Sequence, residues 1–175
     1  GMAWLRPTVM RAVAPAISYF RMAVVTEGGL VEGRQYVLGC HPHGIHGFGT
    51  VAFMNEGSPF YDAYPFLRGR LVGLVATIMF RIPLVRELFL AMGTRDAERS
   101  TAEAALAAGN SVYIIVGGEA ESLLSAPGTD TVVAAGRGRK GFVKLALRSR
   151  AALVPMYMVR CIIGLLWTCP HVHTY

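Results

Sequence analysis

Val112-Tyr113-Ile114-Ile115-Val116 is an unbroken apolar run stopped by Gly117-Gly118. Such a run, with no polar alternation, is the signature of a strand covered on both faces, as in a parallel sheet. Upstream, Ser100-Thr101-Ala102-Glu103 fits a capping box, and the Ala-rich helix it opens stops at Gly109-Asn110. Further back, Tyr36-Val37-Leu38 reads as a short strand running into Cys40-His41-Pro42-His43-Gly44. Downstream, a basic helix is expected from about Lys140 to Arg150, and Ala152-Leu153-Val154-Pro155-Met156-Tyr157 is the last clear strand. Strands alternating with helices predict an α/β fold with a mostly parallel sheet flanked by helices.

The other segments are read by the same signals. A helix is expected over Gly49–Asn55, and an aromatic-rich stretch from Tyr61 to Tyr64 ends at Pro65. Leu67–Arg81 reads as a helix stopped by Pro83, and Leu84–Met92 as a second one ending at Gly93. Trp4–Met22 is amphipathic but interrupted by Pro7 and Pro15, with no secretory cleavage site after it. No repeat or linker divides the chain, and 175 residues suffice for one domain with its own core.

Composition narrows the setting. Apolar residues make up 53% and charged ones 16%, with a mean hydropathy of +0.43. An average soluble domain has about 45–50% and about 25%. Yet no run reaches the roughly 20 apolar residues of a membrane span. Leu71–Phe80 is bounded by Arg70 and Arg81, the Ala104–Gly118 stretch contains Gly109, Asn110 and Ser111, and the tail from Cys161 is apolar only to Trp167. An oily chain without a span fits the bilayer interface, or a piece separated from its anchor, and Gly1 before Met2 agrees with a piece. The net charge of +6 would attract anionic lipid, a phosphorylated ligand or nucleic acid. Three cysteines without tight spacing argue against a disulfide framework.

Four constellations could carry chemistry. In His41-Pro42-His43-Gly44 the proline fixes its own φ and restricts His41, and the glycine lets a substrate approach. A neutral imidazole at a strand end suits a general base for acyl transfer. Loop histidines without a role, or a metal site with His46, are the alternatives, although three ligands within six residues is not an ordinary zinc spacing. In Gly117-Gly118-Glu119-Ala120-Glu121-Ser122, two glycines open the backbone to a ligand, and one of the two carboxylates would point into a site. A solvated acidic turn is the plainer reading.

In Gly136-Arg137-Gly138-Arg139-Lys140-Gly141, cations gather at a helix start, where they oppose the dipole unless an anion binds. Lys140, Lys144 and Arg148 recur every four residues on one helix face. That face is either an anion site or a solvated face against lipid head groups. Cys161, Cys169, His171 and His173 match no common zinc spacing.

Taken together, these blocks resemble the diacylglycerol acyltransferase type 2 family, with its monoacylglycerol and wax-ester relatives. The resemblance runs through Tyr36–Ile45, Phe80–Glu87, Gly109-Asn110, Val116–Leu123, Arg139–Leu147 and Leu153–Tyr157, covering about Tyr19 to Tyr157. It implies an acyltransferase domain over 1–157, partial at its C-terminus and similar in fold to the glycerolipid acyltransferases, followed by a divergent tail at 158–175. It also implies transfer of a fatty acyl group from acyl-CoA to a lipid hydroxyl at the cytosolic face of the endoplasmic reticulum or on lipid droplets. Diacylglycerol is the expected acceptor, with monoacylglycerol or a long-chain alcohol as alternatives. Acyl-CoA is a co-substrate, with no cofactor and no metal.

By the same resemblance His43 is the catalytic base, His41 supports it, and Glu121 orients an imidazole or binds the acceptor. Amides near Gly44 or Gly117-Gly118 would stabilise the oxyanion. Arg139, Lys140 and Lys144 are candidates for CoA phosphates, on the anion argument above. The acidic residue that related glycerolipid acyltransferases carry five positions after their histidine is missing: position 46 is His and position 48 is Phe. A non-catalytic lipid-binding piece and a nucleic-acid module are the rival classes. The second has only charge in its favour, because no aromatic platform accompanies Lys140–Arg148.

Overall fold

The computed structural model describes residues 4–20, 22–26, 28–44, 47–124, 126, 132, 139–158 and 172–174. In chain order these form α1 (Arg6–Tyr19), β1 (Tyr36–His41), α2 (Val51–Met54), α3 (Pro59–Ala63), β2 (Leu71–Val75), α4 (Val85–Ala91) and β3 (Thr94–Asp96). There follow α5 (Arg99–Ala107), β4 (Ser111–Ile115), α6 (Gly118–Leu124), α7 (Gly141–Ser149), β5 (Ala152–Met158) and β6 (Val172–Thr174). The sheet order is β3-β2-β4-β1-β5-β6. The first five strands pair in parallel, and β6 joins β5 antiparallel, with Tyr157 opposite His173. Parallel neighbours need crossovers, which the helices supply.

Alternation along β1 explains why the helices divide between two faces. Tyr36, Leu38 and Cys40 point into a core shared with Phe53, Phe60 and Tyr61 from α2 and α3. Val37 points the other way, to Ala102 and Leu106 of α5 and Leu145 and Ala146 of α7. Gly39 lies on that second face, where a Cβ would stand 3.3 Å from the Phe142 ring. The missing side chain lets α7 pack directly on the strand. Gly73 does similar work on β2. It lies opposite Tyr113 in register, and a Cβ there would stand 2.4 Å from the tyrosine hydroxyl, so the ring covers the glycine.

The end of α5 follows the glycine signal, with Gly109 at φ +85°. Gln35, just before β1, donates to the Leu106 and Asn110 carbonyls at 2.6 and 2.9 Å and ties that end to the sheet. Its start differs from expectation. Ser100 and Glu103 form no capping box: the helix begins at Arg99, which puts Ser100 inside the first turn. Asp96, two residues before the N-cap Glu98, accepts from the Glu98 amide and the Thr101 hydroxyl, each at 3.0 Å.

Two other expectations are corrected. Leu67–Arg81 is not one helix: it is β2 followed by a 3-10 turn at Thr77–Arg81. Periodicity alone cannot separate a short buried strand from a buried helix, and here sheet pairing on both sides of Leu71–Val75 wins. Pro15 does not interrupt the first helix, which runs on to Tyr19. The carbonyl it leaves unpaired belongs to Arg11, an exposed residue that water can satisfy.

Candidate active site

A parallel sheet sends all its strand ends to one edge. His41 is the last residue of β1, and Gly117-Gly118 follow the adjacent β4 at the same edge. The Val116 amide donates to the Cys40 carbonyl at 3.2 Å and holds the two exits side by side. Beyond β1 the His41–Pro42 peptide bond is cis, and Gly44 and Gly47 both adopt φ +61°. Glycine takes that left-handed conformation without the penalty a Cβ brings. The chain therefore folds back, and a Cβ on Gly47 would sit 3.5 Å from Cε1 of the His43 ring.

Beyond β4 the acidic segment is helical rather than an extended turn. Gly118 opens α6 at φ +50°. Two residues apart on a helix lie on opposite sides, so Glu119 is exposed while Glu121 is fully buried. The Glu121 carboxylate reaches both histidines. Oε1 lies 3.0 Å from His41 Nδ1, and Oε2 accepts the His43 backbone amide at 2.8 Å. A buried carboxylate needs such partners to offset its lost hydration. Gly117 makes the room: a Cβ there would stand 1.6 Å from the Glu121 carboxyl carbon.

These contacts orient both imidazoles. A carbonyl oxygen only accepts, so His43 Nδ1, 2.7 Å from the Gly44 carbonyl, must donate. In the neutral ring Nε2 of His43 then keeps the lone pair. His41 Nδ1 faces the Glu121 carboxylate, which fixes the orientation of the ring. His41 is largely enclosed, with 14% of its side chain exposed. Cys40, next to it in sequence, points to the opposite face; burial pushes its thiol far up, which removes it as a nucleophile near neutral pH.

Arg139 also meets the site, through a contact not foreseen from the sequence. Its Nη1 donates to the Gly117 carbonyl at 2.7 Å and the Val116 carbonyl at 3.3 Å. The expected signal was a cation for phosphate; the observed contact clamps the β4–α6 turn. Lys140 and Lys144 are exposed on the first turns of α7 and make no hydrogen bond or ion pair with the histidines among the described residues. His46, Gly136–Gly138, Cys161, Cys169 and His171 lie outside the described residues, as does the His173 side chain. Among the described residues, no three His, Cys, Asp or Glu side chains are grouped to hold a metal ion.

Comparison with known proteins adds to this geometry. The chain is 41% identical to diacylglycerol O-acyltransferase 2 of Homo sapiens over 143 residues, which is 79% of this chain and 36% of the relative. It is 35% identical to diacylglycerol O-acyltransferase 2B of Umbelopsis ramanniana, over 80% of this chain and 40% of that protein. The chain thus spans less than half the length of these relatives. Its fold is similar to the crystal structure of the 1-acyl-sn-glycerophosphate acyltransferase PlsC from Thermotoga maritima, with a TM-score of 0.56 and 10% identity over 98% of this chain and 66% of that one. Residues 2–160 match the diacylglycerol acyltransferase family. With the histidine motif at the end of β1 and its buried glutamate on α6, the chain belongs to the type 2 branch of that family.

Proposed function

We propose that this chain carries the catalytic centre for moving a fatty acyl group from acyl-CoA to a lipid hydroxyl, with diacylglycerol as acceptor. The observation that carries this reading is the His41–Glu121–His43 cluster, in which Nδ1 of His43 is engaged by the Gly44 carbonyl and Nε2 is the ring nitrogen left for a substrate proton. In the reaction, Nε2 takes the proton of the acceptor hydroxyl as the oxygen attacks the thioester carbon. The tetrahedral intermediate collapses with cleavage of the C–S bond, and the CoA sulfur leaves with the proton returned from His43. No covalent enzyme intermediate is required.

The chain's own groups divide the remaining work. Glu121 holds His41 and the His43 backbone, so the base is oriented before substrate arrives. The His43 amide is engaged with Glu121, which leaves the Gly44 amide and the first amides of α6, at Gly118 onward, to stabilise the oxyanion. Lys140 and Lys144, both exposed at the start of α7, are the cations proposed for CoA phosphates. The cytosolic face of the endoplasmic reticulum membrane, where acyl-CoA and neutral lipid meet, is the proposed setting.

The test is acyl transfer from labelled oleoyl-CoA in microsomes, with diacylglycerol, monoacylglycerol and hexadecanol offered separately. His43→Ala is expected to lower product by at least about 100-fold while the chain stays folded and membrane-bound. Undiminished transfer by that variant would overturn the assignment of the base. A second reading, a lipid-binding piece without activity of its own, follows from the chain spanning 36% of its human relative. Product only from a longer chain would favour it.

A further inference from the structure

We propose that the segment after β2, from Ile78 to Leu88, is a membrane-docking rim that seats the catalytic edge on an anionic lipid surface. Four large aliphatic side chains there face solvent: Ile78, Ile82, Leu84 and Leu88. Arg81-Ile82-Pro83-Leu84 is exposed at every position. Soluble surfaces scatter such residues singly, whereas a run of them marks a contact surface.

The location is specific. β2 and β1 run parallel in one sheet, so the 3-10 turn at Thr77–Arg81 leaves the sheet at the same edge as His41. Leu123 and Leu124, also exposed, lie on the helix that starts from that edge after β4. The exposed aliphatic residues therefore accompany the strand ends that carry the histidines.

The backbone works to present the rim. Leu84 is 83% exposed and adopts φ +67°, a left-handed conformation that penalises a residue with a Cβ. It is held there by the Glu87 carboxylate, which accepts the Leu84 amide at 2.9 Å. That capping bond offsets part of the strain, but the leucine side chain itself touches solvent and contributes no burial. A bilayer would supply that burial, because the same conformation turns the leucine outward.

Charge selects the occupant. Arg81 and Arg86 flank the aliphatic residues and are both exposed. No carboxylate lies between Thr77 and Arg86, and that of Glu87 is engaged by Leu84 and Arg86. Arg81 pairs with no carboxylate among the described residues. Apolar side chains flanked by Arg81, unpaired among the described residues, and by Arg86, exposed although paired with Glu87, fit acyl chains beneath anionic head groups. The inference gains its purpose from the proposed lipid acceptor, but its test does not read catalysis.

The experiment is flotation of the 175-residue chain with vesicles of phosphatidylcholine, with and without phosphatidylserine. The parent is expected to bind the anionic vesicles more tightly. Ile82→Gln with Leu84→Gly should weaken partitioning on both by at least about tenfold. Arg81→Gln with Arg86→Gln should weaken it on anionic vesicles alone, by roughly fivefold per arginine. Val31→Gln with Leu147→Gln, two exposed aliphatic sites away from this segment, should bind as the parent does.

Leu84→Gly alone guards against unfolding as the cause. Glycine accepts φ +67°, so its melting temperature should not fall while its vesicle binding does. His43→Ala should float like the parent, which separates failure of this proposal from failure of the catalytic one. Rim variants that float like the parent would overturn the proposal and assign the surface to protein contacts instead. Equal loss in the Val31/Leu147 variant would overturn it too, as general stickiness.

Discussion

Glu121 makes two bonds that substitution can test together. In Glu121→Gln one oxygen still accepts the His43 amide, but an amide nitrogen in place of the other cannot accept from His41 Nδ1. The imidazole is then pushed to the wrong tautomer or orientation. The expected result is a kcat lower by at least about tenfold with a much smaller change in KM. Gly117→Ala should reproduce that loss without touching a polar group, because its Cβ occupies the carboxylate's place. If both act through one carboxylate, the double variant is no worse than either single one, a non-additivity that steady-state kinetics reads directly. Independent losses would mean that Gly117 has some other role.

Arg139 separates two readings of the same residue. As a phosphate ligand its loss would raise KM for acyl-CoA; as a clamp on the Val116 and Gly117 carbonyls its loss disorders the turn that delivers Glu121. Arg139→Ala is therefore expected to lower kcat, with KM for acyl-CoA changing less than roughly twofold. Arg139→Lys should recover only part, since an ammonium lacks the planar fork. At this scale the resemblance singled out His41, His43 and Glu121, and the fold brings these three together. The sequence did not carry the carbonyl clamp, because an arginine beside glycines reads equally well as an anion ligand.

Elements were legible where local and tertiary signals agree. β4, β1 and β5 announce themselves as apolar runs ending at glycine, histidine or a tail; both faces of β1 and β4 are covered, whereas Leu153 and Pro155 leave one face of β5 exposed. β2 was misread because Gly73 looks like neither state: its reason is the Tyr113 ring opposite, a contact no window of sequence contains. The start of α5 lies two residues before the expected one for a related reason. Asp96 acts from the end of β3, so its bonds to the Glu98 amide and the Thr101 hydroxyl depend on where that strand stops. Asp96→Ala is expected to lower stability by about 1 kcal/mol, whereas Ser100→Ala stays within about 0.5 kcal/mol. Urea unfolding of the two variants checks this. The reverse order would restore the capping box.

Across the whole molecule, the sheet and its covering helices were readable as a class, yet the acids and bases buried between the layers were not. Burial is a property of the assembled chain, and it governs response to pH. Tyr61 and Tyr113 sit in the core between the sheet and α2–α3, and burial raises both phenols well above the usual value of 10.0. Tyr61 donates to the Phe53 carbonyl at 2.6 Å, whereas the Tyr113 hydroxyl is buried with no hydrogen-bond partner among the described residues. A phenol with a raised folded pKa favours the fold while both states are neutral. That contribution is complete below the unfolded pKa of about 10 and is lost as pH climbs above it, at about 1.4 kcal/mol per pH unit for each group. Cys40 adds the same sign from its ordinary value of 9.0 upward. Tyr113→Phe removes one such group together with an unsatisfied hydroxyl, whose burial costs about 1–3 kcal/mol. At pH 7 it should therefore unfold at higher urea than the parent, and its alkaline loss of stability should be shallower by one proton's slope. Tyr61→Phe, which gives up a made hydrogen bond, should be less stable than the parent at pH 7 and share only the shallower slope. Equal effects of the two substitutions at pH 7 would mean that the Tyr113 hydroxyl has a partner in solution.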